Sequence, residues 1–363
     1  MTGIEPATRR RWGALGLVAV VAVAAAILFR ADLAFESWLL AWLLLAGLTM
    51  GALALLMVGH LIGGNWLEPV RDELEAASLA APLVALLALP LAFGLDRLYP
   101  WTGPPLEGVP GPRDSWYEPT FFLVRSAIYL LAWVGLAVWM TRPGEHPLRA
   151  AAGLAILLPT ATLAAVDWVA SRDPTWWSSL FGFAFLATQC LPVLAGAILV
   201  SFVRPGRPED RHLKSLERGL VTLALLILWM WFAQFVVVWL ANLPDEAAWY
   251  LARYDRWSFA KLGIVLPALA LSIVLLVPPK LGGLPLYAAT GLMVAQHVAH
   301  MVWLVDPAVR REEPWWMFAL FGAGLGALWL LWLLAGLHGR PNRLAEDGRD
   351  RPTDASGEPA PAR

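Results

Sequence analysis

The segment Ser37–Ile62, SWLLAWLLLAGLTMGALALLMVGHLI, runs for 26 residues without a carboxylate, lysine or arginine. About 20 apolar residues cross a bilayer as a helix, and in lipid each backbone polar group must be satisfied within the segment. The run shows none of the alternation of a β-barrel strand. It therefore predicts a transmembrane helix. Nine further stretches have the same character: Trp12–Phe29, Ala77–Leu95, Phe121–Met140, Leu148–Val169, Trp177–Val203, Leu220–Leu240, Phe259–Val277, Leu284–Val305 and Trp316–Leu337. The chain is thus expected to be all-α, a polytopic membrane protein with about ten transmembrane helices. Residues 1–338 form one integral membrane domain, and a disordered cytoplasmic tail covers 339–363, rich in Pro, Asp, Arg and Gly.

Composition agrees. Mean hydropathy is +0.61 and only 15% of residues are charged, so little soluble mass remains outside the spans. A net charge of -1 argues against nucleic acid as a partner. The lone Cys190 lies inside a span, which rules out a disulfide framework and a cysteine-ligated iron–sulfur or zinc site. Many of the 21 tryptophans stand at span ends (Trp12, Trp101, Trp116, Trp176, Trp177, Trp249, Trp315 and Trp316), as an interfacial belt requires. Arg9-Arg10-Arg11 followed by an apolar run also resembles a signal peptide, but the spans that follow fit an uncleaved first helix.

Ten spans put both termini on one side. With that side cytoplasmic, the connections there carry 17 Lys and Arg against 8 on the other, with Arg125 and Lys261 inside spans. The bias places both termini in the cytoplasm. The loop from Asp96 to Pro119 then lies outside, and its six prolines forbid a helix.

Ionisable groups within spans are costly and mark function by default. On the outer half stand Arg125 and Tyr129, four residues apart on one helix face, with Asp167, Gln234, and His297 and His300. Asp306, Asn242, Asp245 and Glu246 follow on the same side. Gln189 and Cys190 lie near mid-span; His60, Glu68, Arg71, Asp72, Glu73 and Glu75 lie at the inner side. The outer group reads either as a proton- or headgroup-handling cluster or as packing, with Arg125–Asp167 a buried ion pair and the histidines reaching interfacial water. Haem ligation is disfavoured. A di-haem cytochrome needs four axial ligands on facing helices, whereas His146, His212 and His338 fall in connections and His60 lies opposite His297 and His300. No phosphate loop, nucleophile elbow or HExxH motif is present.

Three stretches carry a resemblance. The first is His60-Leu-Ile-Gly-Gly-Asn-Trp66 with Arg71-Asp-Glu-Leu-Glu-Ala76 and Leu98-Tyr-Pro-Trp101. The second is Asp167-Trp168 with Pro174-Thr-Trp-Trp-Ser178. The third is Trp231-Phe-Ala-Gln234, Trp239-Leu-Ala-Asn-Leu-Pro-Asp-Glu246, Trp249-Tyr250, Arg253 and Trp257. In order and spacing they resemble the ActF family, the second NrfD-like membrane subunits of alternative complex III, a bacterial quinol:cytochrome c oxidoreductase. The likeness covers most of residues 50–260. Where that family carries a basic pair after Gly-Gly-x-Trp, this chain has Arg71-Asp72.

The resemblance implies two four-helix bundles with a flanking helix pair. It implies a sister NrfD-like subunit, an iron–sulfur subunit and c-type cytochrome subunits as partners, with haem and iron–sulfur centres only in those partners. No cofactor is bound directly, quinone or quinol is the small molecule at hand, and the sister subunit is the site of its oxidation. On this reading Asp167, Gln234 and His297 form an outer proton route and His60 its inner access. Two rival readings remain: a purely structural membrane subunit, and a secondary transporter with spans interrupted at Pro159, Pro192 and Pro267. Asp245-Glu246 could also imitate the acidic loop of a membrane transferase.

Overall fold

The computed structural model describes residues 6–63, 66–103, 115–142, 144, 147–204, 210–254, 256–277, 283–305 and 315–338. Side chains of 6–29, 210–212, 245, 256 and 315 lie outside the description. So do the expected tail, Asp306, His146 and residues 104–114 of the proline-rich loop.

The regular elements among the described residues are all helices, chiefly α1 (Pro6–Ile62), α2 (Arg71–Ser78), α3 (Ala81–Ala88), α4 (Leu95–Leu98), α5 (Pro119–Met140), α6 (Pro147–Trp168), α7 (Phe181–Val203), α8 (Asp210–Ala241), α9 (Pro244–Leu251), α10 (Leu266–Leu276), α11 (Leu284–Val305) and α12 (Trp315–Leu337). Nine helical segments among the described residues are long and apolar enough to cross a membrane. This is a multi-pass membrane protein. The first expected span, Trp12–Phe29, is helical in backbone, but its side chains are outside the described residues.

Several boundaries differ from the sequence expectation. The first two spans are one helical run interrupted only at Arg30, whose φ of -150° and ψ of 64° leave the helical region. The third span is not one helix. Pro82 and Pro90, which lack an amide hydrogen, start α3 and the 3-10 stretch Leu89–Phe93 that follows it. The eighth begins as a π-helix over Phe259–Val265 before α10, whose first turn holds Pro267. α8 has 32 residues, ten more at its start than expected. At 1.5 Å per residue it is about 48 Å long, so its charged first turns project beyond a hydrocarbon layer of about 30 Å.

Helix ends follow local chemistry. Gly63 (φ 68°) closes α1 in the left-handed conformation that glycine adopts without steric cost. Asn242 (φ 50°) does the same for α8, and Pro244 then opens α9. Glu118 caps α5: its carboxylate accepts the amides of Thr120 at 3.0 Å and Phe121 at 2.6 Å. Those two amides hold the carboxyl below its usual range. The cap therefore stabilises fully above the ordinary carboxylate pKa and is lost as pH falls through the lowered folded value. Glu118→Gln should lower the melting temperature slightly at pH 7, and the gap from wild type should close at pH 3. A gap that persists at pH 3 would show that the charge is not what matters.

α1 and α7 form the centre. α1 packs against α3, α5, α6, α7 and α12; α7 packs against α6, α8 and α11, and α10 against α8 and α11. The α1–α7 seam is a close backbone approach. A Cβ at Gly51 would stand 2.6 Å from the Gln189 carbonyl oxygen and 3.1 Å from the Cys190 nitrogen. Gly47, one turn earlier, faces the Gln189 side chain. Small residues four apart let helix backbones meet in lipid.

Candidate functional site

Most of the expected site residues gather at one end of the bundle, marked by Trp101, and there they divide into two groups. The first joins α5 and α6. Arg125 donates to Asp167 through Nε (3.0 Å) and Nη2 (2.9 Å), Tyr129 donates its hydroxyl (3.0 Å), and Trp116 donates its indole N–H (3.0 Å). Arg125 Nη1 reaches the Trp116 carbonyl at 2.9 Å, and its guanidinium lies 4.0 Å from the Trp116 ring centre. Asp167 is fully buried and Arg125 is 6% exposed. The i, i+4 spacing of Arg125 and Tyr129 delivers both to one carboxylate. With four donors, both oxygens are engaged, and a proton on either must displace one. The geometry is that of a helix clamp. Beneath it, Trp168 donates to Ser126 and Tyr99 donates to the Trp168 carbonyl, so the clamp is continuous with the Leu98–Trp101 stretch.

The second group surrounds a pocket of about 700 Å³ between α7, α8, α9, the π-helix and α11. Its walls are largely aromatic and aliphatic, and Gln234, Arg253, Lys261 and His300 enter among them. Lys261 Nζ lies 3.0 Å from His300 Nδ1 and 3.1 Å from the Trp231 ring centre. The His300 ring lies tilted against Trp231, with ring centres 4.3 Å apart, and Trp231 donates to Thr188 at 3.2 Å. Arg253 is 4% exposed; it donates to the carbonyls of Trp249 and Leu304, both at 2.9 Å, and lies 3.6 Å above the Trp249 ring. Its Nε has no partner among the described residues. Burial pushes the guanidinium pKa down to about 9, against the pull of the Asp173 carboxylate, which leaves it charged at neutral pH. Trp249 in turn stacks on Trp176 at 4.4 Å, which joins the second stretch of the resemblance to the third.

His297 belongs to neither group. It is 2% exposed, and neither ring nitrogen has a hydrogen-bond partner among the described residues. Gln189 Oε1, Gln296 Oε1 and Gln234 Nε2 are buried and unpartnered in the same sense. Gln189 Nε2 lies 3.6 Å from the Met301 sulfur, which ties it to α11, the helix of His297 and Gln296. At the opposite end, His60 Nε2 lies 3.4 Å from Arg71 Nη2, beside Arg71–Glu75 and Arg204–Glu73 ion pairs. Glu246 is half-buried on α9; the Asp245 side chain lies outside the described residues. No group of three His, Cys, Asp or Glu placed to hold a metal occurs among the described residues.

The chain matches no protein-family model and no curated protein. The site must therefore be argued from its own chemistry.

Sequence reading placed Lys261 only as a charge within a span and Arg253 only as part of a motif. Lys261 could have been found as a lone cation just inside the start of an apolar run, the same criterion that picked out Arg125. Arg253 gave no such signal, because it lies in a connection and its burial arises from the fold-back of α9 onto Trp176. Arg172 was likewise invisible: it is 3% exposed, with Nε and Nη1 unpartnered among the described residues.

Proposed function

We propose that this chain is an integral membrane subunit of a respiratory quinol:electron-acceptor oxidoreductase of the alternative complex III type, in a bacterial inner membrane with both termini cytoplasmic. It anchors the complex and contributes quinone/proton handling. A sister NrfD-like subunit, an iron–sulfur subunit and c-type cytochromes are its partners and carry the redox centres. The arrangement of α1, α3, α5 and α6 beside α7, α8, α10 and α11, with α12 on the flank of α1, supports this reading.

One observation carries the proton-handling part. His297, Gln189, Gln234 and Gln296 bury polar atoms that have no partner among the described residues, in spans that pack around α7 and α11. Each such atom costs about 1–3 kcal/mol, and buried polar groups are paired or hydrated as a rule. A set of them in membrane helices suits internal water and proton transfer. His297 can accept a proton at one ring nitrogen and release it from the other; the three amides orient the water between. Asp167, saturated by its four donors, acts here by holding α5 to α6. Arg125, Tyr129 and Trp116 are its positioning partners.

His297→Phe tests this. It removes an unpaired imidazole, so assembly and melting temperature should be kept or rise. Quinol oxidation coupled to proton release in reconstituted vesicles should fall by roughly tenfold or more, the lower range of general acid–base effects. Full activity in a stable, assembled variant would make His297 a packing residue only, as the purely structural reading requires.

A further inference from the structure

The pocket between α8, the π-helix and α11 has a chemical polarity the proposed function does not use. Lys261 and Arg253 both line the pocket and both approach the Trp303 ring, at 4.8 Å and 5.9 Å from its centre. Neither meets a carboxylate within ion-pair distance, and no carboxylate lines the pocket, among the described residues. Arg253 is nine-tenths buried and lines the pocket with its Nε–H unpartnered. An ammonium has three donors; Lys261 spends one toward His300 Nδ1 and turns toward the Trp231 face, which leaves donor capacity for a ligand. The rest of the lining is apolar: Phe181, Phe185, Leu228, Phe232, Leu262 and Leu266 among others.

Two basic side chains at an apolar cleft that no described carboxylate lines, with Asp173 acting on Arg253 only from beyond ion-pair distance, call for an anion that carries a hydrocarbon body. The cations sit near the ends of their segments, with Arg253 in the α9–α10 connection and Lys261 in the first turn of its span. That is the depth of lipid phosphates, and Trp249, Tyr250 and Tyr254 surround it as interfacial aromatics do. We infer that this pocket is a binding site for an anionic phospholipid, with the phosphodiester held by Lys261 and Arg253 and an acyl chain laid along α8 and the π-helix. The site stands apart from the respiratory role, since it would hold the lipid in any membrane assembly that contains this chain. A quinone's carbonyl oxygens can accept from these donors but leave both charges uncompensated, so the inference assigns this pocket to an anionic lipid in preference to quinone.

The test is native mass spectrometry of the full chain, with whatever subunits co-purify, after exchange into detergent containing equal phosphatidylglycerol and phosphatidylcholine. Wild type should retain one phosphatidylglycerol in preference to phosphatidylcholine. Lys261→Gln should cut that preference roughly fivefold, the worth of one basic residue near a membrane surface, and Lys261→Arg should restore it. Excess inorganic phosphate should leave the bound lipid in place. Equal retention of the two lipids by wild type overturns the inference without any variant. So does an unchanged preference in Lys261→Gln, displacement by inorganic phosphate, which would make the site one for the free ion, or displacement by decylubiquinone that is equally effective in wild type and Lys261→Gln.

Discussion

Asp167→Ala should destabilise the protein more than any other single truncation in the bundle, by about 3–5 kcal/mol, the cost of leaving one partner of a buried ion pair alone. The carboxylate receives Arg125 twice, Tyr129 and Trp116. Its removal strands a guanidinium that is 6% exposed between two membrane helices. Thermal unfolding in detergent should show a large drop, and membrane yield should fall with it. The double variant Arg125→Met/Asp167→Leu should recover much of the loss, because well-packed apolar residues replace buried ion pairs at little or no cost. Recovery will be incomplete, since the Tyr129 hydroxyl and the Trp116 indole N–H remain without their acceptor, each at about 1–3 kcal/mol. The double variant should also assemble and support turnover, as befits a clamp. A double variant no more stable than Asp167→Ala would mean that Arg125 and Asp167 do not act as a pair. A stable double variant that had lost proton release would return Asp167 to acid–base chemistry.

Gly51→Ala should also be strongly damaging, although it adds one methyl group. Its Cβ would lie 2.6 Å from the Gln189 carbonyl oxygen, 2.8 Å from the carbonyl carbon and 3.1 Å from the Cys190 nitrogen. All three are backbone atoms of α7, which is buried on most sides and cannot step aside by a rotamer change. The helices must separate, at an expected cost of about 1–3 kcal/mol or more, and Gly51→Val should cost more still. Gly326→Ala is the matched control. Nothing lies within 4 Å of a Cβ there, and alanine is the better helix former by about 1 kcal/mol. Melting temperatures of the two variants should therefore move in opposite directions. A Gly51→Ala protein as stable as wild type would show that the α1–α7 seam is looser than described.

These two sites show where sequence reasoning succeeds and stops. Apolar run length located the spans, and Leu284–Val305 is reproduced to the residue. It did so because backbone satisfaction in lipid is a local requirement. The breaks at Pro82 and Pro90 were printed in the sequence, yet hydropathy averages over them. Arg125 and Asp167 stood out as charges in spans, and both the ion pair and the proton cluster were open readings. Choosing between them needs the rotation of α5 against α6, which a sequence separation of 42 residues does not encode in any pattern. The Gly47–Gly51 spacing was legible as a close-approach motif and went unused. Lys261, His300 and Arg253 come from a helix start, a helix end and a connection, and it is the packing of the π-helix and the Arg253 connection on α11 that brings them to one pocket.

The proposed respiratory role rests on a claim about company: this chain works beside redox subunits. The measurement that tests it most directly is purification of the tagged chain in mild detergent, with haem and iron assays and mass spectrometry of what comes with it. The account predicts multihaem cytochrome and iron–sulfur proteins in stable proportion to the chain, with haem and iron to match. Recovery of the chain alone, intact and free of haem and iron, would contradict it and bring the transporter reading forward.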